Sequence, residues 1–316
     1  MSRGGFGRFA PSPSGVMHFG NLRTAVAAYL FAKSSGREFL VRIEDIDTGR
    51  SRPSFAAQSL ADLAALGIAS DRRVVYQSQR HQLYQAALEQ LVQKGLVYEC
   101  YCSRADIAAA ASAPHGKPGI YPGICRDLSD SERRDKRAAL AAQGRQPALR
   151  LRAPQGVEYT VKDSLLGPLT GLLHDFVLRR TDGDWAYQLV VVVDDINQGV
   201  DQIVRGADLA SSAPVQAWLT ETLGGYPAAY AHVPLVMNAQ GQRLAKRDKS
   251  VTRPELNALG WSDQKILLKA LETLGWSAAK TDATALLTLP TEEILKHALV
   301  SWSPENLPAE PVIFHP

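Results

Sequence analysis

Three stretches of the 316-residue chain hold residue types whose spacing suits chemistry. The first is Pro11-Ser-Pro-Ser-Gly-Val-Met-His18-Phe-Gly20-Asn21, between a strand-like and a helix-like segment. Gly15 and Gly20 let the backbone turn sharply and approach a ligand closely. A helix beginning near Asn21 presents unpaired N–H groups, a ready anion site, and His18 just before it can donate to a phosphate oxygen. The second stretch is the basic loop Arg243-Leu-Ala-Lys246-Arg-Asp-Lys249, able to neutralise phosphates. Taken singly, the first reads equally well as a tight strand–helix turn, and the second more readily as a solvated charged loop. Neither is a Walker loop or a GxGxxG fingerprint. The third is Cys100-Tyr-Cys102 with Cys125, which gathers every cysteine of the chain within 26 residues. Such clustering suits a structural zinc ion, which usually takes four ligands. By ligand type the missing one is His115, in a Pro/Gly-rich loop. A reduced, metal-free thiol cluster is the bland alternative.

The elements around these residues alternate as in an α/β fold. A short strand at 8–10 is broken by Pro11 and Pro13, and a helix follows at 21–33, ending near Gly36. A second strand is predicted at 39–43, and helices at 54–66 and 83–92. Residues 100–150 break the rhythm and read as an insertion. The continuous apolar run 189–193, ending in Asp194-Asp195, suits a strand buried on both faces of a parallel sheet. A further strand is expected at 203–206 and a helix at 212–223. After Pro254 the chain looks helical, and the Pro-rich last dozen residues look extended.

Composition sets the frame. Hydrophobic residues make up 45% and charged residues 21%, the balance of a globular protein. No apolar run is long enough for a membrane span and no signal-peptide core is visible, so no membrane is expected. Three cysteines exclude a disulfide framework and fit a reducing, cytoplasmic setting. A net charge of +3 does not by itself announce nucleic acid. The last 66 residues carry five Lys or Arg against eight Asp or Glu, so the first 250 hold the basic surplus and are the better place for an anion.

Together the motifs become specific. The stretch Arg8-Phe-Ala-Pro-Ser-Pro-Ser-Gly-Val-Met-His-Phe-Gly-Asn-Leu-Arg-Thr-Ala25 resembles the HIGH region of glutamyl-type class I aminoacyl-tRNA synthetases. Val41-Arg-Ile-Glu-Asp-Ile-Asp47 looks like their next strand, and residues 243–247 look like their KMSKS loop, with Arg243, Ala245 and Arg247 as departures. The resemblance covers residues 8–250 and is closest to a truncated branch, the glutamyl-Q tRNA(Asp) synthetase family. That branch lacks the large helical anticodon-binding region, and its zinc site is similar to the cysteine arrangement here. The resemblance implies a class I synthetase Rossmann-like catalytic domain with a parallel sheet in two halves, 1–99 and 151–250. A zinc-binding insertion at 100–150 and a short helical region at 251–316 complete the expected organisation.

The implied activity is ATP-dependent, tRNA-independent activation of L-glutamate, followed by transfer to queuosine at the wobble position of tRNA(Asp). The partners are ATP with Mg²⁺, L-glutamate and tRNA(Asp) carrying queuosine, and a monomer is expected. By the same resemblance His18, Gly20, Asn21 and Lys246 hold ATP, with His18 and Lys246 catalytic. Arg8, Phe9, Ala10, Pro11, Ser12, Glu44, Tyr187 and Arg205 hold glutamate. An amino diacid demands arginines for its carboxylates and an acid for its ammonium. Residue type alone, however, leaves Arg42 and Asp45 equal to these. The related family takes its fourth metal ligand from a tyrosine four positions before the last cysteine, which is Tyr121 here, so the implied set is Cys100, Cys102, Tyr121 and Cys125, with His115 as runner-up. Arg133 to Arg137 form a mixed basic run that can face tRNA, although a solvated helix face explains so short a run as well. Three alternatives remain: a short synthetase charging the terminal adenosine of tRNA(Glu), a non-catalytic RNA-binding paralogue, and a nucleotidyltransferase with another acid substrate.

Overall fold

The computed structural model describes residues 4–111, 120–242, 244, 251–277 and 283–315. The first stretch contains β1 (Phe6–Phe9), α1 (Phe19–Ser34), β2 (Glu38–Ile43), α2 (Pro53–Ala65), β3 (Val75–Tyr76) and α3 (His81–Gln93). There follow β4 (Val97–Cys100), α4 (Arg104–Ala111), α5 (Asp130–Ala141), β5 (Ala148–Leu151), β6 (Glu158–Asp163), β7 (Gly167–Leu172) and β8 (Val177–Arg179). Then come α6 (Tyr187–Gln198), β9 (Val200–Gly206), α7 (Ala213–Thr222), β10 (Ala229–Val233) and β11 (Val236–Met237). The last are α8 (Arg253–Ala258), α9 (Asp263–Thr273), α10 (Ala283–Leu286), α11 (Thr291–Ser301) and β12 (Val312–Ile313).

Seven strands form one sheet in the order β3-β2-β1-β9-β10-β6-β7. All neighbours run parallel except the β6–β7 hairpin at one edge. β1 lies inside the sheet between β2 and β9, where Arg8 sits level with Leu40 of β2 and Ile203 of β9. From β1 the chain steps outward to β2, whereas from β9 it steps the opposite way to β10. That reversal opens a crevice at the carboxyl ends of the strands, the usual ligand position in an open α/β sheet.

The apolar run 189–193 is not a strand. It lies within α6, whose residues Leu189 to Asp195 are all buried. A helix buried on nearly every side and a central parallel strand carry the same unbroken apolar signature, so periodicity could not separate them. The helix stop was readable: Gly199 adopts φ 68° at the C-cap, a left-handed conformation that suits glycine. α1 also begins two residues earlier than expected, at Phe19.

β4, β5 and β8 make a separate antiparallel sheet that supports the cysteine-bearing region. Leu256, Leu267, Leu271, Ile294 and Ala298 of the C-terminal helices share one buried cluster with Leu22, Val26 and Leu30 of α1. The extended end supplies β12, which pairs in parallel with β11. Among the described residues, no helix is long and apolar enough to cross a membrane.

Candidate active site

The crevice holds a cavity of about 450 Å³. Arg8, Phe9, Ala10, Pro11 and Ser12 line it from β1 and the following turn, Glu44 from the end of β2, Tyr187 from the start of α6 and Arg205 from β9. His18, Gly20 and Asn21 line its other end. The cavity therefore gathers every predicted ATP- and glutamate-site residue except Lys246, which lies outside the described residues together with most of the basic loop.

Local chemistry explains the turn. His18 is the N-cap of α1: its Nδ1 accepts from the Asn21 N–H at 3.3 Å, and the Asn21 side chain accepts from the His18 N–H at 3.2 Å. With Nδ1 accepting, a neutral imidazole carries its proton on Nε2 and is a donor there. A Cβ on Gly20 would come within 3.0 Å of the His18 ring, so glycine lets the imidazole fold back over the first turn. The Glu44 N–H donates to the Pro11 carbonyl at 3.0 Å, tying β2's end to the turn.

The charges behind the cavity are arranged unevenly. Arg8, 4% exposed, donates through Nε and Nη2 to Asp195 at 3.3 and 3.2 Å. Arg42 is fully buried and donates to Asp195 at 2.7 Å and to Glu44 at 3.3 Å, with Asp194 at 3.6 Å. Burial opposes the Arg42 charge, but Asp195, Glu44 and Asp194 together outweigh it and raise its pKa. Asp195 is held below the usual carboxylate range: burial would raise it, and Arg42 and Arg8 overcome that. Glu44 goes the other way, because burial raises it more than Arg42 and Arg8 lower it. Arg42 thus stands behind the wall and Glu44 in it, the distinction residue type could not make. Asp45 turns away to accept from the Ser78 N–H and hydroxyl. Asp194 and Asp195, expected at a strand end, project instead from α6 as counter-ions, and Asp194 also accepts from Arg80 at 2.6 Å.

Arg205 is 5% exposed and donates to His232 Nε2 at 3.0 Å, Gln216 Oε1 at 2.7 Å and the Leu209 carbonyl at 3.2 Å. Burial raises the pKa of the Tyr187 phenol, so it enters the cavity as a neutral hydroxyl.

The cysteines converge at the far end of β4. Their three sulfurs lie within 4.8 Å of one another, with Cys102 and Cys125 3.4 Å apart and unbonded. The Tyr121 hydroxyl stands 3.4 Å from Cys100 Sγ and 3.5 Å from Cys102 Sγ, and accepts the Cys125 N–H at 2.9 Å. Sulfurs around a tetrahedral zinc sit about 3.8 Å apart, so this set fits a metal ion. Burial and the neighbouring thiols raise the Tyr121 pKa, so without a metal the phenol stays protonated. His115 lies outside the described residues. The basic run 133–137 falls on α5 with Arg134, Lys136 and Arg137 exposed, and Arg137 pairs with Glu99 at 2.7 Å.

Residues 6–302 match the family model for tRNA synthetases class I (E and Q), catalytic domain. A glutamyl-Q tRNA(Asp) synthetase from Nocardia farcinica is 51% identical over 98% of this chain and 93% of its own length. One from Chromobacterium violaceum is 42% identical over 97% and 96%. The chain belongs to the glutamyl-Q tRNA(Asp) synthetase family. It is a ligase of the class I synthetase type. A glutamate tRNA ligase from Elizabethkingia meningosepticum, crystallised with its amino acid, shares the fold with a TM-score of 0.80 at 23% identity, covering 99% of this chain and 67% of that one.

Within this family frame the cavity has walls outside the quoted motifs: Asp208, Leu209 and the strip Pro234–Leu235–Val236. Gly206 was the available signal for one of them. A Cβ there would lie 2.6 Å from Asp208 Oδ1, so the glycine after Arg205 makes room for that carboxylate.

Proposed function

We propose that the chain activates L-glutamate with ATP, without needing tRNA, and transfers the glutamyl group to the cyclopentenediol of queuosine at the wobble base of tRNA(Asp). The observation that carries this reading is one cavity that the arginines Arg8 and Arg205 and the carboxylate Glu44 line together, with Asp208 also in its wall, beside a histidine-capped helix N-terminus. An amino diacid offers two carboxylates and one ammonium, the complement of Arg8, Arg205 and Glu44. The names of the relatives support the acceptor and do not favour charging of tRNA(Glu).

In this reading the glutamate α-carboxylate attacks the α-phosphorus of ATP, the bond to the bridging oxygen breaks, and pyrophosphate leaves. A hydroxyl of the queuosine cyclopentenediol then attacks the acyl carbon, AMP departs and the hydroxyl proton is released. The cavity's task is positioning and charge stabilisation, the main resource in phosphoryl and acyl transfer. His18 Nε2–H and the α1 N-terminus serve the α-phosphate, next to Gly20 and Asn21. Lys246 serves the β- and γ-phosphates from the basic loop. Arg8, Arg205, Tyr187 and Glu44 hold glutamate on the backbone of Phe9, Ala10, Pro11 and Ser12. Mg²⁺ bound with ATP would neutralise phosphate charge.

Cys100, Cys102, Tyr121 and Cys125 would hold a structural Zn²⁺, tying β4 to the segment 121–125 with no open position for a substrate. A monomer in a reducing cytoplasm completes the proposal, consistent with three free cysteines.

Glutamate-dependent ATP–pyrophosphate exchange in the absence of tRNA tests the first step, with aspartate and glutamine as controls. Exchange only after tRNA is added would favour a tRNA(Glu)-charging enzyme instead, and none under either condition a non-catalytic paralogue. Labelling of tRNA(Asp) with and without queuosine tests the second. Equal labelling of both would refute the acceptor assignment.

A further inference from the structure

Arg8 and Arg205 both line the cavity, yet they are supported in opposite ways. Arg8 rests on a carboxylate, Asp195. The three acceptors of Arg205 are all neutral: an imidazole nitrogen, a side-chain amide oxygen and a backbone carbonyl. The amide cannot readily turn, because Gln216 Nε2 donates to Gln188 Oε1 at 2.7 Å. Three of five guanidinium N–H groups are used, which leaves one on each Nη. Among the described residues no carboxylate forms an ion pair with Arg205.

The imidazole belongs to His232, fully buried on the adjacent strand β10 and level with Arg205 in the sheet register. Because the Arg205 Nε–H can only donate, His232 Nε2 must accept, and the ring proton must sit on Nδ1. There it meets Asp163 Oδ2 at 2.6 Å. Asp163, 2% exposed, is itself fixed as a carboxylate by the N–H groups of Leu165 and Leu166, each at 2.9 Å, and of His232 at 3.1 Å. The acid therefore stands one ring away from the arginine. It sets the tautomer of His232 without cancelling the charge of Arg205.

We propose that His232, neutral and protonated on Nδ1 by its bond to Asp163, is a positioning residue that aims Arg205 into the cavity with its charge uncompensated until a substrate carboxylate arrives. The inference rests on the reading of this cavity as the glutamate site. A buried cation without a counter-ion is costly, and an incoming carboxylate relieves that cost. Placed directly on Arg205, a carboxylate would remove this incentive.

The test compares wild type, His232→Phe and His232→Gln in tRNA-free ATP–pyrophosphate exchange. Phenylalanine keeps the ring and loses the acceptor, whereas glutamine restores a neutral acceptor near Nε2. The expected result for His232→Phe is a glutamate KM raised about ten- to a hundredfold. Its ATP KM and kcat should stay within about twofold, and His232→Gln should recover most of the loss. An unchanged glutamate KM, or equal loss in both KM values and in kcat, overturns the proposal. Wild type without exchange would instead refute the glutamate reading. Histidine ¹⁵N shifts of the wild-type protein, assigned with His232→Gln, give a readout that needs neither activity nor a folded phenylalanine variant. A proton on Nδ1 is expected, and a proton on Nε2 overturns the inference.

Discussion

Glu44 has to be ionised to meet an ammonium group, and its surroundings resist that. The groups facing it are Arg42 and Arg8, which favour its charge, and Asp195 and Asp194, which oppose it; burial exceeds them all and the pKa is raised. A carboxyl with a raised pKa takes up its proton at a higher pH than an exposed one, so acidification should neutralise Glu44 first. Glutamate KM should therefore climb as pH falls through a window above the ordinary carboxylate range. Glu44→Gln should show a high KM with no such slope. Steady-state exchange from neutral to mildly acid pH measures both, and a flat glutamate KM in the wild type would remove Glu44 from the ammonium site. At this scale residue type was a partial guide. It announced that arginines and acids meet at the strand ends, but not that Arg42 lies behind the cavity while Glu44 lines it. Two residues apart, Arg42 and Glu44 share one face of the chain, so the choice depends on how far along it the cavity reaches: Arg42 lies within β2 and Glu44 just past its end.

The elements show where sequence patterns lose resolution. α6 and a central strand bury apolar residues in the same unbroken way, so periodicity alone cannot tell them apart. β12 was legible as extended chain but not as a partner of β11, since a two-residue strand has no period. Its position matters to the cavity. The Val312 N–H donates to the Leu235 carbonyl at 3.0 Å and the Phe314 N–H to Met237 at 2.9 Å, so the C-terminal strand holds a wall strip that leads toward the basic loop. Phe314 also stacks on Phe19, the first residue of α1, with centroids 3.9 Å apart. Val312→Pro removes one of these bonds, worth about 1 kcal/mol, and should raise ATP KM about fivefold. Val312→Ala should leave it near wild type, and equal KM values for the two variants would show that the strand does not support the nucleotide end. The metal cluster calls for another element-scale test. Three thiols survive Tyr121→Phe, but the phenolic oxygen that stands beside two of them is lost. Zinc affinity should fall at least about tenfold in chelator competition, with His115→Ala unchanged. Loss in the histidine variant alone would transfer the fourth position to His115.

Across the whole molecule, the cores decide what unfolds together. The first half of the sheet, α1 and the C-terminal helices draw on one buried cluster, whereas Tyr98, Cys100, Tyr121, Cys125 and Ala148 form a small cluster of their own. The sequence suggested a boundary near residue 251 because charge and pattern both change there. It could not reveal that the helices beyond it bury their apolar faces against α1. Arg23 reinforces that junction: buried on α1, it donates to the Pro234 carbonyl at 2.6 Å in the cavity wall and to the Thr273 carbonyl at 2.9 Å at the end of α9. A shared core and a shared arginine make the C-terminal helices part of the catalytic unit's stability. Leu271→Ala, at a fully buried position of α9, should cost about 2–5 kcal/mol and lower the main thermal transition by about 3–8 °C. It should do so without splitting that transition, and exchange activity should disappear over the same temperature range. Calorimetry and activity against temperature measure this together. A separate low-temperature transition, with exchange activity surviving above it, would mean that the C-terminal helices fold apart from the sheet that holds the cavity.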